Sequence, residues 1–104
     1  MKTKAEIAAA LEAAWKAPYV AGPGYGCGRA YVCVSGLERA EVNALAAAAK
    51  KANILFLRKA YGTGGNALYV GYDNADGRAT GKARAVAESL KGAGFKAYDD
   101  AVAD

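Results

Sequence analysis

The stretch Arg29-Ala30-Tyr31-Val32-Cys33-Val34-Ser35-Gly36-Leu37-Glu38 sets the reading of the whole chain. Through Val34 it alternates. Ala30, Val32 and Val34 share one side of an extended strand, and Arg29, Tyr31 and Cys33 share the other, because successive strand side chains point to opposite faces. The wholly aliphatic side is the one expected to be buried. The apolar period then changes from two to three or four. Ser35 and Glu38 have the spacing of a capping box. Leu37, Val42, Leu45, Ala49 and Ala52 fall on one side of a helix that runs to about residue 52. Lys50 and Lys51 suit its negative C-terminal end, and Asn53 suits the left-handed residue that follows.

Toward the C-terminus, Ile54 to Tyr61 and Ala67 to Asp73 read as strands joined by the glycine-rich turn Gly62 to Asn66, a hairpin. A loop over Asn74 to Ala79 leads to Thr80, a candidate cap. Ala83, Val86, Ala87 and Leu90 then mark the inner side of a helix that Gly92 and Gly94 stop. Phe95 to about Val102 is the last strand. Toward the N-terminus, Gly22, Gly24, Gly26 and Gly28 make residues 18–28 a loop, since no helix tolerates that glycine density. Residues 1–17 form an amphipathic helix. Thr3 and Glu6 supply its capping box, Ile7, Leu11 and Trp15 its apolar stripe, and Pro18 ends it.

From residue 29 onward the order is strand–helix–strand–strand–helix–strand, the split βαβ or ferredoxin-like order. Right-handed crossovers place both helices on one side of a four-stranded antiparallel sheet of order 4-1-3-2, with the Tyr31 and Tyr69 strands as central neighbours. The expectation is therefore an α+β fold. It has a helix at 1–17, a glycine-rich loop at 18–28 and a βαββαβ unit at 29–104. At 104 residues the chain suits one globular domain with one core.

Composition narrows the function. The chain has no histidine, which excludes Ser-His-Asp and Cys-His catalysis and every histidine-containing metal site. Its two cysteines, Cys27 in the loop and Cys33 in the strand, make neither a disulfide framework nor a four-ligand zinc set, and they read as reduced thiols of a cytoplasmic protein. No apolar run approaches the ~20 residues that span a bilayer. Glu6 and Glu12 interrupt the first apolar pattern, so it does not read as a signal peptide. The net charge of +4 suits solubility and equally suits an anionic partner. No cofactor and no metal is expected. The glycine-rich loop precedes a strand, whereas a dinucleotide loop follows one. Asp73-Asn74-Ala75-Asp76-Gly77 resembles the front of a calcium loop, but Tyr72 and Ala83 would then fall at its first and twelfth positions, and neither can ligate. Asp99 and Asp100 are adjacent on a strand and cannot share a site. With no nucleophile–base pair, the chain reads as a binding protein rather than an enzyme.

Three surfaces are candidates for contact. On the sheet side away from the helices, Arg29, Tyr31, Tyr69, Lys96 and Tyr98 should gather around Cys33, while Leu68, Val70 and Tyr72 fill the core. Arg78, Lys82 and Arg84 cluster around the start of the last helix, where exposed N–H groups favour anions. Tyr25 sits at the tip of the glycine-rich loop. The N-terminal helix competes for the sheet surface, because Ile7, Leu11 and Trp15 must be buried. The expectation is packing within the same molecule, over the tyrosines or at an edge.

Ala30-Tyr31-Val32-Cys33-Val34-Ser35-Gly36-Leu37 resembles the first-strand motif of RNA-recognition (RRM) domains, and Tyr69-Val70-Gly71-Tyr72 resembles the end of their third-strand motif. That resemblance puts Tyr31 and Tyr69 at base-stacking positions and implies single-stranded RNA or DNA as partner. It departs from the pattern at Gly65, Asn66 and Ala67, where a basic residue, a glycine and the first aromatic are usual. In general character, as a small, alanine-rich single domain without catalytic residues, the chain is similar to phage accessory proteins, anti-CRISPR inhibitors among them. This second resemblance implies a protein that sterically blocks a host nucleic-acid-handling protein complex; a monomer or homodimer not attached to a membrane is expected.

Overall fold

The computed structural model describes residues 1–22, 27–58, 65–74 and 76–103. Their elements are α1 (Lys4–Trp15), β1 (Cys27–Ser35), α2 (Arg39–Lys51), β2 (Phe56–Leu57), β3 (Asn66–Asn74), α3 (Arg78–Gly92) and β4 (Lys96–Ala103). The strands form one antiparallel sheet in the order β2-β3-β1-β4, which is the expected 4-1-3-2 arrangement. Ala30, Val32 and Val34 of β1 point to the helices together with Leu68 of β3 and Ala97 of β4. They meet Leu45 and Ala49 of α2 and Ala83, Val86, Ala87 and Leu90 of α3.

The N-terminal helix joins the helical layer. α1 packs on α2 and α3 and buries Ile7, Leu11 and Ala14, leaving the tyrosine side of the sheet uncovered by it. Burying Ile7 and Leu11 contributes ~1.5–3 kcal/mol each. Trp15, at the end of the stripe, is partly buried and lies beneath the Lys82 ammonium, which is 5.1 Å from the ring centre. Lys2 ties down the other end of α1. Its backbone N–H donates to Glu41 of α2, its ammonium donates to the Gly94 carbonyl, and the ammonium sits 4.7 Å from the Phe95 ring centre.

The helix starts differ from expectation at two places. α2 is capped by Glu38, not Ser35, which stays in β1. The Glu38 N–H donates to the Glu41 carboxylate at 2.9 Å, so the box is shifted three residues along. α3 begins at Arg78, ahead of Thr80, with left-handed Gly77 (φ 73°) as the residue before it. Gly77 has no side chain to cap with. Asp73, at the end of β3, takes over that role and accepts from the Ala79 N–H at 2.7 Å, the Thr80 N–H at 3.1 Å and the Thr80 hydroxyl. The resemblance of this segment to a calcium loop thus reflects a capping carboxylate. Two strand boundaries also move. Cys27 opens β1 instead of lying in the loop, and of the expected second strand only Phe56 and Leu57 join the ladder among the described residues. Tyr25 and residues 59–64 lie outside the described residues.

The segment before β1 runs hard against the first turns of α3. The Gly22 N–H donates to the Gly77 carbonyl at 2.9 Å. A Cβ on Gly81 would collide with the Val20 carbonyl oxygen, and one on Gly77 with that of Gly22. No helix among the described residues is long and apolar enough to cross a membrane.

Gly81→Ala is therefore expected to destabilise the fold by about 1–3 kcal/mol in urea denaturation, through forced backbone displacement. Gly92→Ala, where an added Cβ meets nothing within 4 Å, should be neutral or mildly stabilising. Asp73 supplies a pH test. Burial alone would raise its pKa, but hydrogen bonds from the Thr80 hydroxyl and from the Ala79 and Thr80 N–H groups outweigh burial and hold it below the ordinary value. A lowered folded-state pKa means that the stabilisation is full above the unfolded value of about 3.9 and is lost as pH falls through the folded value. Asp73→Ala should cost about 1–2 kcal/mol at neutral pH. The gap to the parent protein should close in acid, as read by denaturant midpoints from pH 7 downward.

Candidate functional site

The sheet face opposite the helices follows from the ladder register. Cross-strand partners point the same way. Tyr31 opposes Tyr69 on β3 and Asp100 on β4, Cys33 opposes Ala67 and Tyr98, and Ser35 opposes Lys96. The expected set Arg29, Tyr31, Tyr69, Lys96 and Tyr98 is thus brought to one face. Tyr31 and Tyr69 are half-buried, with ring centres 5.5 Å apart and planes tilted by 59°, within the range of favourable aromatic pairs. Among the described residues no helix or strand covers this face.

β3 corrects one expectation. Between Ala30 and Tyr31 the register slips: Ala30 opposes Gly71 while Tyr31 opposes Tyr69, so Val70 is an extra residue in β3. Val70 packs toward the core, and a Cβ on Gly71 would meet Ala79 of α3, so both lie on the helix side. Tyr72 is thereby shifted in phase. It does not fill the core but stands opposite Arg29 and is 47% exposed. Further apolar residues join it. Leu57 opposes Ala67 on this face, Leu55 falls there by alternation, and Val102 opposes Arg29 from β4. Periodicity alone missed Tyr72; a glycine beside an aromatic inside a strand is the signal that marks such a bulge.

The centre of the face is polar below its rim. Cys33 is a buried free thiol. Burial pushes its pKa up, a hydrogen bond from the Tyr98 hydroxyl offsets part of that rise, and the Asp100 carboxylate adds to it. The same contact with Cys33 raises the Tyr98 hydroxyl. Among the described residues no cluster of three or more cysteine, aspartate or glutamate side chains is placed to hold a metal ion.

The second candidate surface does not converge. Arg78 lies 3.7 Å from Asp76, and Lys82 is drawn over Trp15 toward α1. Arg84, two positions beyond Lys82, leaves the helix on its other flank. The three cations therefore point apart rather than around one anion.

In a Cys27→Ser background, the ultraviolet absorbance of the thiolate should appear at higher pH in the folded protein than in urea. Tyr98→Phe, which removes the donor to the sulfur, should move it higher still.

Comparison of the chain with protein-family models, with curated proteins and with solved structures finds no match to any of them.

Proposed function

We propose that this protein is a non-catalytic binding module whose tyrosine-bearing sheet face engages a protein partner. One observation carries the reading. Leu55, Leu57, Tyr72, Tyr98 and Val102 are all exposed and all lie on that face, whereas the other large exposed apolar side chains among the described residues, Met1, Tyr19 and Val20, belong to segments at or beyond the ends of α1. Apolar exposure concentrated on one side of a small domain marks a contact surface. Tyrosine and arginine are enriched in protein interfaces, and this face carries Tyr31, Tyr69, Tyr72, Tyr98 and Arg29. Asp100, opposite Tyr31 in the middle of the face, repels phosphate and weighs against a nucleic-acid track. The finer form of the reading is a steric inhibitor, anti-CRISPR-like in character, that blocks a host nucleic-acid-handling complex. It rests on size and composition, and steric blocking requires burial of about 800 Å² per partner.

A second reading has its own support. Tyr31 and Tyr69 sit together on the two central strands, the arrangement by which RRM-like sheets stack bases.

The two readings separate in one set of measurements. A photo-crosslinking residue at position 72 should trap a protein from host lysate after nuclease treatment, and the same residue at Ser89 on α3 should not. Tyr72→Ala with Tyr98→Ala should abolish association with the trapped protein and leave circular dichroism unchanged. A single-stranded oligonucleotide that shifts in a gel, weakens steeply with salt and is lost with Tyr31→Ala would instead establish the RRM-like reading.

A further inference from the structure

β4 closes the sheet on one side, and among the described residues no strand pairs with its outer edge. It is an unusual edge. It pairs with β1 at every residue from Lys96 to Ala103 without a bulge, and it contains no proline. The opposite edge strand, β2, has 2 residues among those described. A long, regular edge exposes a row of backbone donors and acceptors that a further strand can extend.

We propose that two copies of this chain associate by antiparallel pairing of their β4 edges about a two-fold axis at Tyr98. The order of charges along the strand selects the partner and the register. A two-fold antiparallel pairing sets one residue opposite its own copy. An axis at Asp99 or Asp100 opposes two carboxylates directly, which is repulsive. An axis at Ala97 or Ala101 joins no opposite charges. An axis at Tyr98 sets Lys96 opposite the partner's Asp100, and Asp100 opposite the partner's Lys96. The two tyrosines then meet between these ion pairs. On the helix side, Asp99 faces the partner's Ala97. Lys96, Tyr98 and Asp100 share the uncovered face, so both ion pairs form there, in solvent. Within one copy these charges are four strand residues apart, roughly 13 Å, and do not pair with each other.

The assembly is a continuous antiparallel sheet with the tyrosine faces of both copies on the same side and Tyr98 at the seam. Its existence does not depend on which macromolecule the face engages.

Sedimentation equilibrium over a wide concentration range tests it. The parent protein should show a monomer–dimer equilibrium that weakens as salt is raised. Lys96→Asp and Asp100→Lys each turn both ion pairs into like-charge pairs, and each should raise the dissociation constant about tenfold or more. The double variant Lys96→Asp with Asp100→Lys restores opposite charges and should recover the dimer, with circular dichroism confirming the fold of all three. A monomer at every concentration, a dissociation constant unmoved by either single change, or a double variant no tighter than the singles would each overturn the proposal.

Discussion

The arrangement depends on where the narrow apolar stripe of α1 is buried. Ile7, Leu11 and Ala14 insert against α2 and α3. The alternative resting place was the outer side of the sheet, and the chemistry of the two surfaces decides between them. α2 and α3 are rich in alanine, which lets helix backbones approach closely and keep their contacts free of polar groups. The sheet side carries tyrosine hydroxyls, Arg29, Lys96 and Asp100. A helix laid over them would strip water from groups it has no means to satisfy, at several kcal/mol for a charge. Once α1 is placed on the helices, the protein has two unlike sides: three helices around an aliphatic core, and a sheet face, covered by no helix or strand among the described residues, with a mixed aromatic and charged surface.

Much of this was legible from residue patterns. The change of period at Val34, the glycine-dense stretch before β1, and the stops at Gly92 and Gly94 place the elements. The βαββαβ order and crossover handedness then leave one sheet arrangement, which is the one found. What escaped is non-local. The cap of α3 is Asp73, which precedes the helix by several residues and belongs to a strand; a window reading looks for a cap beside the helix and selects Thr80. Ser35 and Glu38 have the spacing of a box, but Ser35 is retained by the β1 ladder, so the next eligible residue caps. The resting place of α1 was open because periodicity says that a stripe is buried and not against what.

The N-terminus of α3 gathers these non-local constraints. Asp73 supplies acceptors, and Gly77 supplies both a left-handed turn and the space for Gly22. Gly81 admits the Val20 carbonyl beside the helix. Three separated stretches of chain therefore close on one helix turn. The N–H groups there are satisfied within the protein, which fits the divergence of Arg78, Lys82 and Arg84 away from any common anion.

Val70 has a different kind of consequence. Because it is one residue too many for the ladder, the bulge that absorbs it decides which way Tyr72 faces. Exchanges at Tyr72 alter the exposed surface locally. Strict alternation over the same residues would turn Tyr72 toward the helices, whereas loss of Val70 would leave it opposite Arg29. The outward set of this strand is thus held by a kink in its backbone and not by alternation alone.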